Sequence, residues 1–246
     1  MDHKLPKVRK TPYKPWTEDA ERFVLYADIM GFTDRVMRSR HDDLRKGFIH
    51  FRERLERRNS PLFKDGLLKL VQFSDSFLIV SKGADYKMFN LLTKSAARLM
   101  HVALELGFPI KGAISQGVFT FDSEKQLYFG RPLVDAALLH DQLKFYGIAV
   151  HHSAEKMVKE FTSQDNPYYL SSVALRTGWI SHYHLAWHLL GRDLDSKDNS
   201  EESKAWLQGI AESVSGDPRI YIDNTLRMMM TDTFPDQGVE NKENGV

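Results

Sequence analysis

A short apolar run that ends at an acidic residue constrains this chain more than any other feature. Residues 23–27 (FVLYA) are continuously apolar, which is typical of a strand buried on both faces of a sheet. The run stops at Asp28. A carboxylate in that position must be paired, hydrogen-bonded or bound to a cation, because an isolated charge is costly to bury. The sequence therefore predicts a core strand that delivers one carboxylate to the end of a sheet.

A second carboxylate lies between two further apolar runs. The segments LLKLVQF and FLIVS flank Ser74-Asp75-Ser76, a pattern that predicts two strands joined by a tight turn with Asp75 near its tip. If the first strand lies beside this hairpin, Asp28 and Asp75 converge at one edge of the sheet. Two carboxylates suit a hard cation such as Mg²⁺. The alternative is structural: Asp28 caps the following helix, and Asp75 only makes the turn.

The segment that follows Asp28 has the composition of a ligand-binding turn. Residues 29–33 (IMGFT) connect the strand to a helix, and Gly31 lets the backbone approach a ligand closely. Backbone N–H groups at the start of a helix are suited to phosphate oxygens. We therefore expect Ile29, Gly31, Phe32 and Thr33 to bind the phosphate-bearing end of a ligand.

The order of predicted elements indicates the fold class. An apolar stripe from Leu44 to Leu55 and a second one over 86–106 predict helices, and Gly107 ends the second. The remaining predicted elements are strands at 109–121 and 126–129, a helix at 131–146 and a strand at 148–152. This β-α-β-β-α-β order predicts an α+β, ferredoxin-like fold: an antiparallel-rich sheet with helices on one face. Two strands (168–176 and 179–187) and two helices to about Met230 extend it.

Composition narrows the classes of partner. The 34 basic and 33 acidic residues nearly cancel, which argues against a general electrostatic attraction to nucleic acid or membranes. The chain has no cysteine and no apolar run long enough to span a bilayer, so we expect a cytoplasmic protein. Histidines 182, 184 and 188 suggest a metal cluster, but no carboxylate stands at useful spacing, and packing is the simpler interpretation.

Four segments together resemble the class III nucleotidyl cyclases. FVLYADIMGFT resembles the first metal motif of that family, and FSDSF at residues 73–77 resembles the second. Gly107 to Gly117 resembles a later strand, and residues 128–136 resemble the glycine-to-helix junction that follows. The resemblance covers residues 22–185. It implies a catalytic domain at 21–190. Composition and pattern indicate the rest: a basic arm at 1–20, a helical extension at 191–234 and a flexible tail at 235–246.

The resemblance also implies a reaction and a set of ligands. Asp28, Asp75 and the carbonyl of Ile29 are expected to hold two Mg²⁺ or Mn²⁺ ions. A nucleoside triphosphate would be converted to its 3′,5′-cyclic monophosphate and pyrophosphate. Active sites of the family form between two subunits, which implies a homodimer.

Four positions depart from the purine-specific members of the family. Val71 and Leu127 stand where those enzymes carry their base-reading lysine and acid, and Val134 and Leu138 stand where they carry an asparagine and an arginine. Arg131 is a candidate for the catalytic cation, and Arg176 is a candidate for triphosphate binding.

The overall pattern looks like that of the bacterial pyrimidine cyclases of Pycsar antiphage defence. This implies a UTP or CTP substrate and an effector reached through cyclic UMP or cyclic CMP. The alternatives are a non-catalytic nucleotide-binding module and a purine cyclase.

Overall fold

The apolar run at residues 23–27 forms the middle of an interior strand of one sheet. In the computed structural model, which describes residues 16–161, 166–190, 200–212 and 214–232, this strand is β1 (Asp19–Ile29). It pairs antiparallel with β3 (Ser76–Ser81) on one side and with β4 (Ile110–Asp122) on the other. Its residues from Phe23 to Leu25 are fully buried because both faces of the sheet are covered.

Seven further strands complete the sheet within the described residues. Besides β1, β3 and β4 these are β2 (Leu68–Phe73), β5 (Leu127–Phe129), β6 (Ile148–Val150), β7 (Tyr168–Leu175) and β8 (Gly178–Leu185). The strand order is β2-β3-β1-β4-β6-β8-β7, with β5 paired to β4. Among the pairs of these strands, only β4 and β6 run parallel. The predicted α+β, antiparallel-rich fold is confirmed.

Eight α-helices belong to the part of the chain that the structure describes. They are α1 (Phe32–Arg38), α2 (His41–Arg58), α3 (Ser60–Lys64), α4 (Tyr86–Glu105), α5 (Arg131–Gln142), α6 (Glu155–Val158), α7 (Ser200–Ala211) and α8 (Asp217–Thr231). Short 3-10 helices lie at His152–Ala154 and Trp187–Leu189. None of the described helices has the length and apolar character needed to cross a bilayer.

The two faces of the sheet have different coverings. Phe23, Leu25 and Ala27 pack with buried residues of α2 and α4, which form the main core. Side chains alternate along a strand, so Tyr26 and Asp28 point to the opposite face. There Tyr26 contacts the ring of His140 in α5, with ring centroids 5.1 Å apart. The long helices thus cover one face as predicted, and α5 lies against the other, which we call the site face.

Several predicted boundaries are wrong by a few residues. The helix predicted over 131–146 ends at Gln142, because Leu143 is extended and Lys144 donates its N–H to the carbonyl of Ala174 in β7. The strand predicted over 148–152 stops at Val150, where the ring of His151 accepts the N–H of Ser153 and starts a 3-10 turn. The strand predicted over 179–187 ends at Leu185 and also leads into a 3-10 turn.

The predicted domain boundaries remain predictions, but two contacts bear on them. Trp16 stacks on Arg22 at 4.1 Å, and β1 begins at Asp19, inside the predicted 1–20 arm. Leu207 of α7 and Ile222 of α8 belong to the main core. Residues 1–15 of the arm and the predicted tail at 235–246 lie outside the described residues.

Candidate functional site

The structure brings Asp28 and Asp75 together at one end of the sheet. Asp28 lies opposite Ser76 in the β1–β3 pair, and Ser76 Oγ donates a hydrogen bond to Asp28 Oδ1 at 3.1 Å. The neighbouring Ile29 N–H donates to the carbonyl of Asp75 at 3.1 Å. Tyr26 completes the local network, because its hydroxyl lies 3.1 Å from Ser76 Oγ. The β2–β3 turn is therefore fixed against the end of β1.

The electrostatics of this pair favour a bound cation. Burial raises the pKa of Asp28, and the negative charge of Asp75 raises it further. The hydrogen bond from Ser76 and the charge of Lys111 oppose the shift. A cation placed between the two carboxylates would relieve both their mutual repulsion and the cost of burial.

The donor set fits Mg²⁺ or Mn²⁺. Two carboxylates and the main-chain carbonyl of Ile29 are all oxygen donors, which these hard ions prefer. No cluster of three acidic or histidine side chains suited to a metal occurs among the described residues. A magnesium site that is completed by substrate phosphates needs only one or two protein carboxylates, so the pair is sufficient.

The turn after Asp28 has the backbone that the sequence indicated. Gly31 has φ 72° and immediately precedes α1, and a Cβ added there would meet no atom within 4 Å. Glycine is therefore favoured by the left-handed backbone rather than by lack of space. Phe32 packs edge-on against Phe48 at 5.5 Å, and Thr33 is exposed. This leaves the backbone of the turn beside the two carboxylates.

Lys111 is a site residue that the sequence analysis missed. It lies directly opposite Asp28 in the β1–β4 pair, so both side chains are on the site face. Lys111 is buried, and its Nζ donates to the carbonyl of Leu143 at 3.3 Å. Burial and the nearby charge of Arg176 lower its pKa to about 8. The available signal was a lysine inside the otherwise apolar strand segment FPIKGAI.

Of the two predicted arginines, only Arg176 lies near this group. It follows β7, its side chain pairs with Asp141 at 2.8 Å, and its charge acts on Lys111 and His140. Arg131 is at the start of α5, where its largely exposed side chain lies 3.4 Å from Asp135. It precedes His140 by nine residues, so it lies about 14 Å along the helix from the contact with Tyr26.

The aliphatic positions lie in two different environments. Val71 and Tyr128, the neighbour of Leu127, pack against the apolar cluster of β1, β3 and β4 on the site face. Leu127 itself is 47% exposed. Val134 and Leu138 are exposed on the outer surface of α5. One chain therefore presents the acidic pair at the end of β1 and, in addition, exposed aliphatic residues at Leu127, Val134 and Leu138.

Comparison with solved structures agrees with this architecture. Two structures of a bacterial light-regulated adenylyl cyclase match with a TM-score of 0.50. The first is 13% identical and covers 80% of this chain and 59% of its own chain. The second is 12% identical and covers 78% of this chain and 99% of its own chain. The chain has the fold of a nucleotidyl cyclase catalytic domain. The guanylate cyclase domain of RhGC from Catenaria anguillulae, in complex with GTP, matches with a TM-score of 0.49 at 14% identity, over 69% of this chain and 98% of that one.

Comparisons by sequence give no match. No protein-family model fits the chain, and no curated protein is significantly similar to it. At these identities the structural likeness establishes the fold, and the chemistry has to be argued from the site.

Proposed function

We propose that this protein is a metal-dependent nucleotidyl cyclase that acts on a pyrimidine nucleoside triphosphate. The observation that carries the proposal is the juxtaposition of Asp28 and Asp75 at the end of β1, in a chain with a cyclase fold. In the reaction the 3′-oxygen forms a bond to the α-phosphorus. The bond from that phosphorus to the α,β-bridging oxygen breaks, pyrophosphate leaves, and the proton of the 3′-hydroxyl passes to solvent.

The residues of the acidic pair hold and orient the metal site. Asp28 and Asp75 would bind the ions, with the carbonyl of Ile29 as a further oxygen donor. Ser76 donates to Asp28 Oδ1 and holds that carboxylate in one orientation. When bound, the ions supply positive charge that acidifies the 3′-hydroxyl and neutralises the triphosphate.

The cations of the site face would bind the phosphates. Lys111 shares that face with Asp28, and Arg176 lies within electrostatic range of Lys111. Negative charge accumulates on the leaving pyrophosphate as the bond to the α-phosphorus breaks. A fixed ammonium in a water-poor site stabilises that charge more than bulk water does. We assign this role to Lys111, with Arg176 as the outer phosphate contact.

The aliphatic surface supports both a dimer and a pyrimidine substrate. Phe129, Val134 and Leu138 are 58, 57 and 63% exposed, and an apolar surface of this kind is typical of an interface. A second copy placed there would bring its acidic pair toward Val71 and Leu127. These two side chains offer no polar group to a purine edge and favour a smaller base. Arg131 would then act across the interface.

The resemblance to the Pycsar cyclases supports a role in antiphage defence. A cytoplasmic cyclase that makes cyclic UMP or cyclic CMP would act as the second-messenger synthase of an antiphage response, through an effector that binds the cyclic nucleotide. UTP is the preferred substrate in this proposal.

The test is product analysis with each of the four ribonucleoside triphosphates in Mg²⁺ or Mn²⁺. We expect UTP or CTP to be cyclised at least about ten-fold faster than ATP or GTP, which corresponds to about 1.4 kcal/mol in the transition state. Asp28→Asn and Asp75→Asn should each abolish turnover. The matched control is Asp34→Asn, because Asp34 is exposed and pairs only with Arg38 among the described ion pairs. Equal turnover of ATP would refute the choice of base.

A non-catalytic nucleotide-binding module is the second candidate. It is favoured by the aliphatic residues at positions 71, 127, 134 and 138, which leave the described site without the usual polar groups. Metal-dependent nucleotide binding without turnover of any triphosphate would support this function instead.

A further inference from the structure

The ammonium of Lys111 has an aromatic neighbour from the last described helix. Tyr221 lies in α8, and the centroid of its ring is 5.5 Å from Lys111 Nζ. Both residues are buried, with 3% of Lys111 and 6% of Tyr221 exposed. A cation within about 6 Å of a ring centroid is attracted to the negative face of the ring, and more strongly where water is excluded. The contact therefore joins a site residue to a helix outside residues 22–185, which carry the resemblance to the cyclases.

Few other contacts within the described residues fix the direction of this ammonium. An ammonium has three N–H donors, and Lys111 donates one of them to a described residue, to the carbonyl of Leu143 at 3.3 Å. Of the nearby charged groups, two carboxylates attract it and two cations repel it: Asp28, Asp141, Arg176 and Lys144. A flexible four-carbon side chain with one long hydrogen bond is free to turn. The ring of Tyr221 adds a directional attraction that restricts it.

The ring of Tyr221 is itself held in place. It stacks on Tyr146, with the ring centroids 5.5 Å apart and the ring planes at 18°. Lys144 Nζ lies 5.0 Å from the same ring centroid and 3.2 Å from Asp217 Oδ2, at the start of α8. The backbone N–H of Tyr146 donates to Thr225 Oγ1, one turn further along α8, at 2.8 Å. These contacts fix the helix against the segment that follows α5, so the ring has a defined position beside Lys111.

We propose that Tyr221 is a positioning residue for Lys111: its ring holds the ammonium on the site face beside Asp28, where the phosphates of the nucleotide would bind. The inference rests on the proposed function, because Tyr221 acts on the nucleotide only through Lys111. A cation stabilises developing charge best when it is already oriented before the bond breaks. Without the ring, the ammonium would have to be ordered by the phosphates themselves, and part of the favourable free energy of nucleotide binding would be lost.

The competing explanation is that Tyr221 only fills the core. It belongs to the main hydrophobic cluster, so its removal lowers stability under either explanation. The two explanations differ in whether the effect of removing the ring on nucleotide affinity depends on Lys111. A positioning role requires that dependence, whereas a loss of packing acts equally with or without the lysine.

The experiment is a double-mutant cycle on nucleotide affinity in the full chain, with Tyr221→Leu, Lys111→Met and the double variant. The probes are the α,β-methylene analogues of UTP and ATP in Mg²⁺, which cannot release pyrophosphate. Both are titrated by calorimetry, so that the choice of base does not decide the result. We expect Tyr221→Leu to weaken binding about five-fold when Lys111 is present and less than about two-fold in the Lys111→Met background. Tyr221→Phe keeps the ring and should bind like the wild type.

Each variant is titrated below its own unfolding transition, and Tyr221→Met replaces Tyr221→Leu if the latter does not fold. Equal losses of affinity in the two backgrounds, unchanged affinity without the ring, or an equal loss in Tyr221→Phe would overturn the positioning role alone. Unchanged affinity in Lys111→Met, or no binding of either analogue, would overturn it together with the assigned phosphate site. Because the cycle measures binding, a protein that binds the analogues but turns over no triphosphate would contradict the cyclase function and leave the positioning role supported by the cycle.

Discussion

The side chain of Lys111 lies in a position that favours the neutral amine over the ammonium. Burial lowers its pKa to about 8 from an ordinary value of 10.5, and Arg176 adds to the shift. The folded protein at pH 7 must therefore hold a charge that the unfolded chain carries more easily. We therefore expect the charge of Lys111 to serve a function that offsets this cost. Here the nearest candidate function is phosphate binding beside Asp28.

Replacement of Lys111 by methionine should raise stability and lower activity together. Methionine has a similar length without the charge, so the unfolding free energy at pH 7 should increase by about 1–2 kcal/mol. Turnover should fall at least about ten-fold, because the pyrophosphate loses a fixed cation. The control Lys111→Arg keeps the charge and should retain more activity than the methionine variant. Unchanged turnover in Lys111→Met would remove Lys111 from the site.

The stability difference should depend on pH with a definite sign. The unfolded chain protonates Lys111 up to about pH 10.5, and the folded chain only to about pH 8. The loss of folding stability caused by the buried charge of Lys111 is therefore complete below pH 8 and declines as the pH rises above that value. Chemical denaturation at pH 7 and at pH 9 should show the stability advantage of Lys111→Met shrinking at the higher pH.

Single residues differ in how far the sequence reveals them. The placement of Asp28 and Asp75 was predictable because an acidic residue at the end of an apolar run is a local signal. Lys111 is equally local, but its meaning depends on the register that places it opposite Asp28. Asp232 lies 48 residues from His184, and only the path of α8 brings the two together. Local patterns reveal candidate ligands, and tertiary contacts decide which of them meet.

Among the elements, the turn between β1 and α1 gives the sharpest stability test. Gly31 has φ 72°, a region in which alanine is strained, although a Cβ would meet no atom there. Gly31→Ala should therefore lower the unfolding free energy by about 1–2 kcal/mol. The matched control is Gly209→Ala in α7, which also has open space around a Cβ but has helical backbone. It should stabilise by about 0.5–1 kcal/mol. Equal effects of the two variants in urea denaturation would contradict the backbone argument.

The long elements were the easiest to predict. The stripe that defines α4 persists over twenty residues, Asp85 caps its start, and Gly107 follows its end with φ 69°. The end of α5 was missed because Leu143 is apolar and fits a helix, whereas the structure uses it in a bridge to Leu175. Hydrogen bonds from another strand override a helical pattern at such a boundary.

Over the whole molecule, the position of each strand in the sequence could be predicted better than which strands lie next to it in the sheet. The hairpins β2–β3 and β7–β8 follow from short connections. The parallel pairing of β4 with β6, and the pairing of β6 with β8, depend on crossovers that periodicity does not encode. The position of α5 on the site face could not be predicted either, because amphipathic patterns do not specify which face of a sheet a helix will occupy.

The assembly of two copies is the last expectation to test. Leu138 of α5 is 63% exposed and belongs to the aliphatic surface that we assign to the dimer. Leu138→Glu would bury a charge in that interface and should convert a two-fold dimer into monomers in light scattering. Because the proposed site needs residues from both copies, turnover should fall with the loss of the dimer. The control is Ile220→Glu on α8, where a 47% exposed apolar residue lies outside this surface and the same charge should leave assembly and turnover unchanged. A Leu138→Glu monomer with full activity would show that one chain holds the complete site.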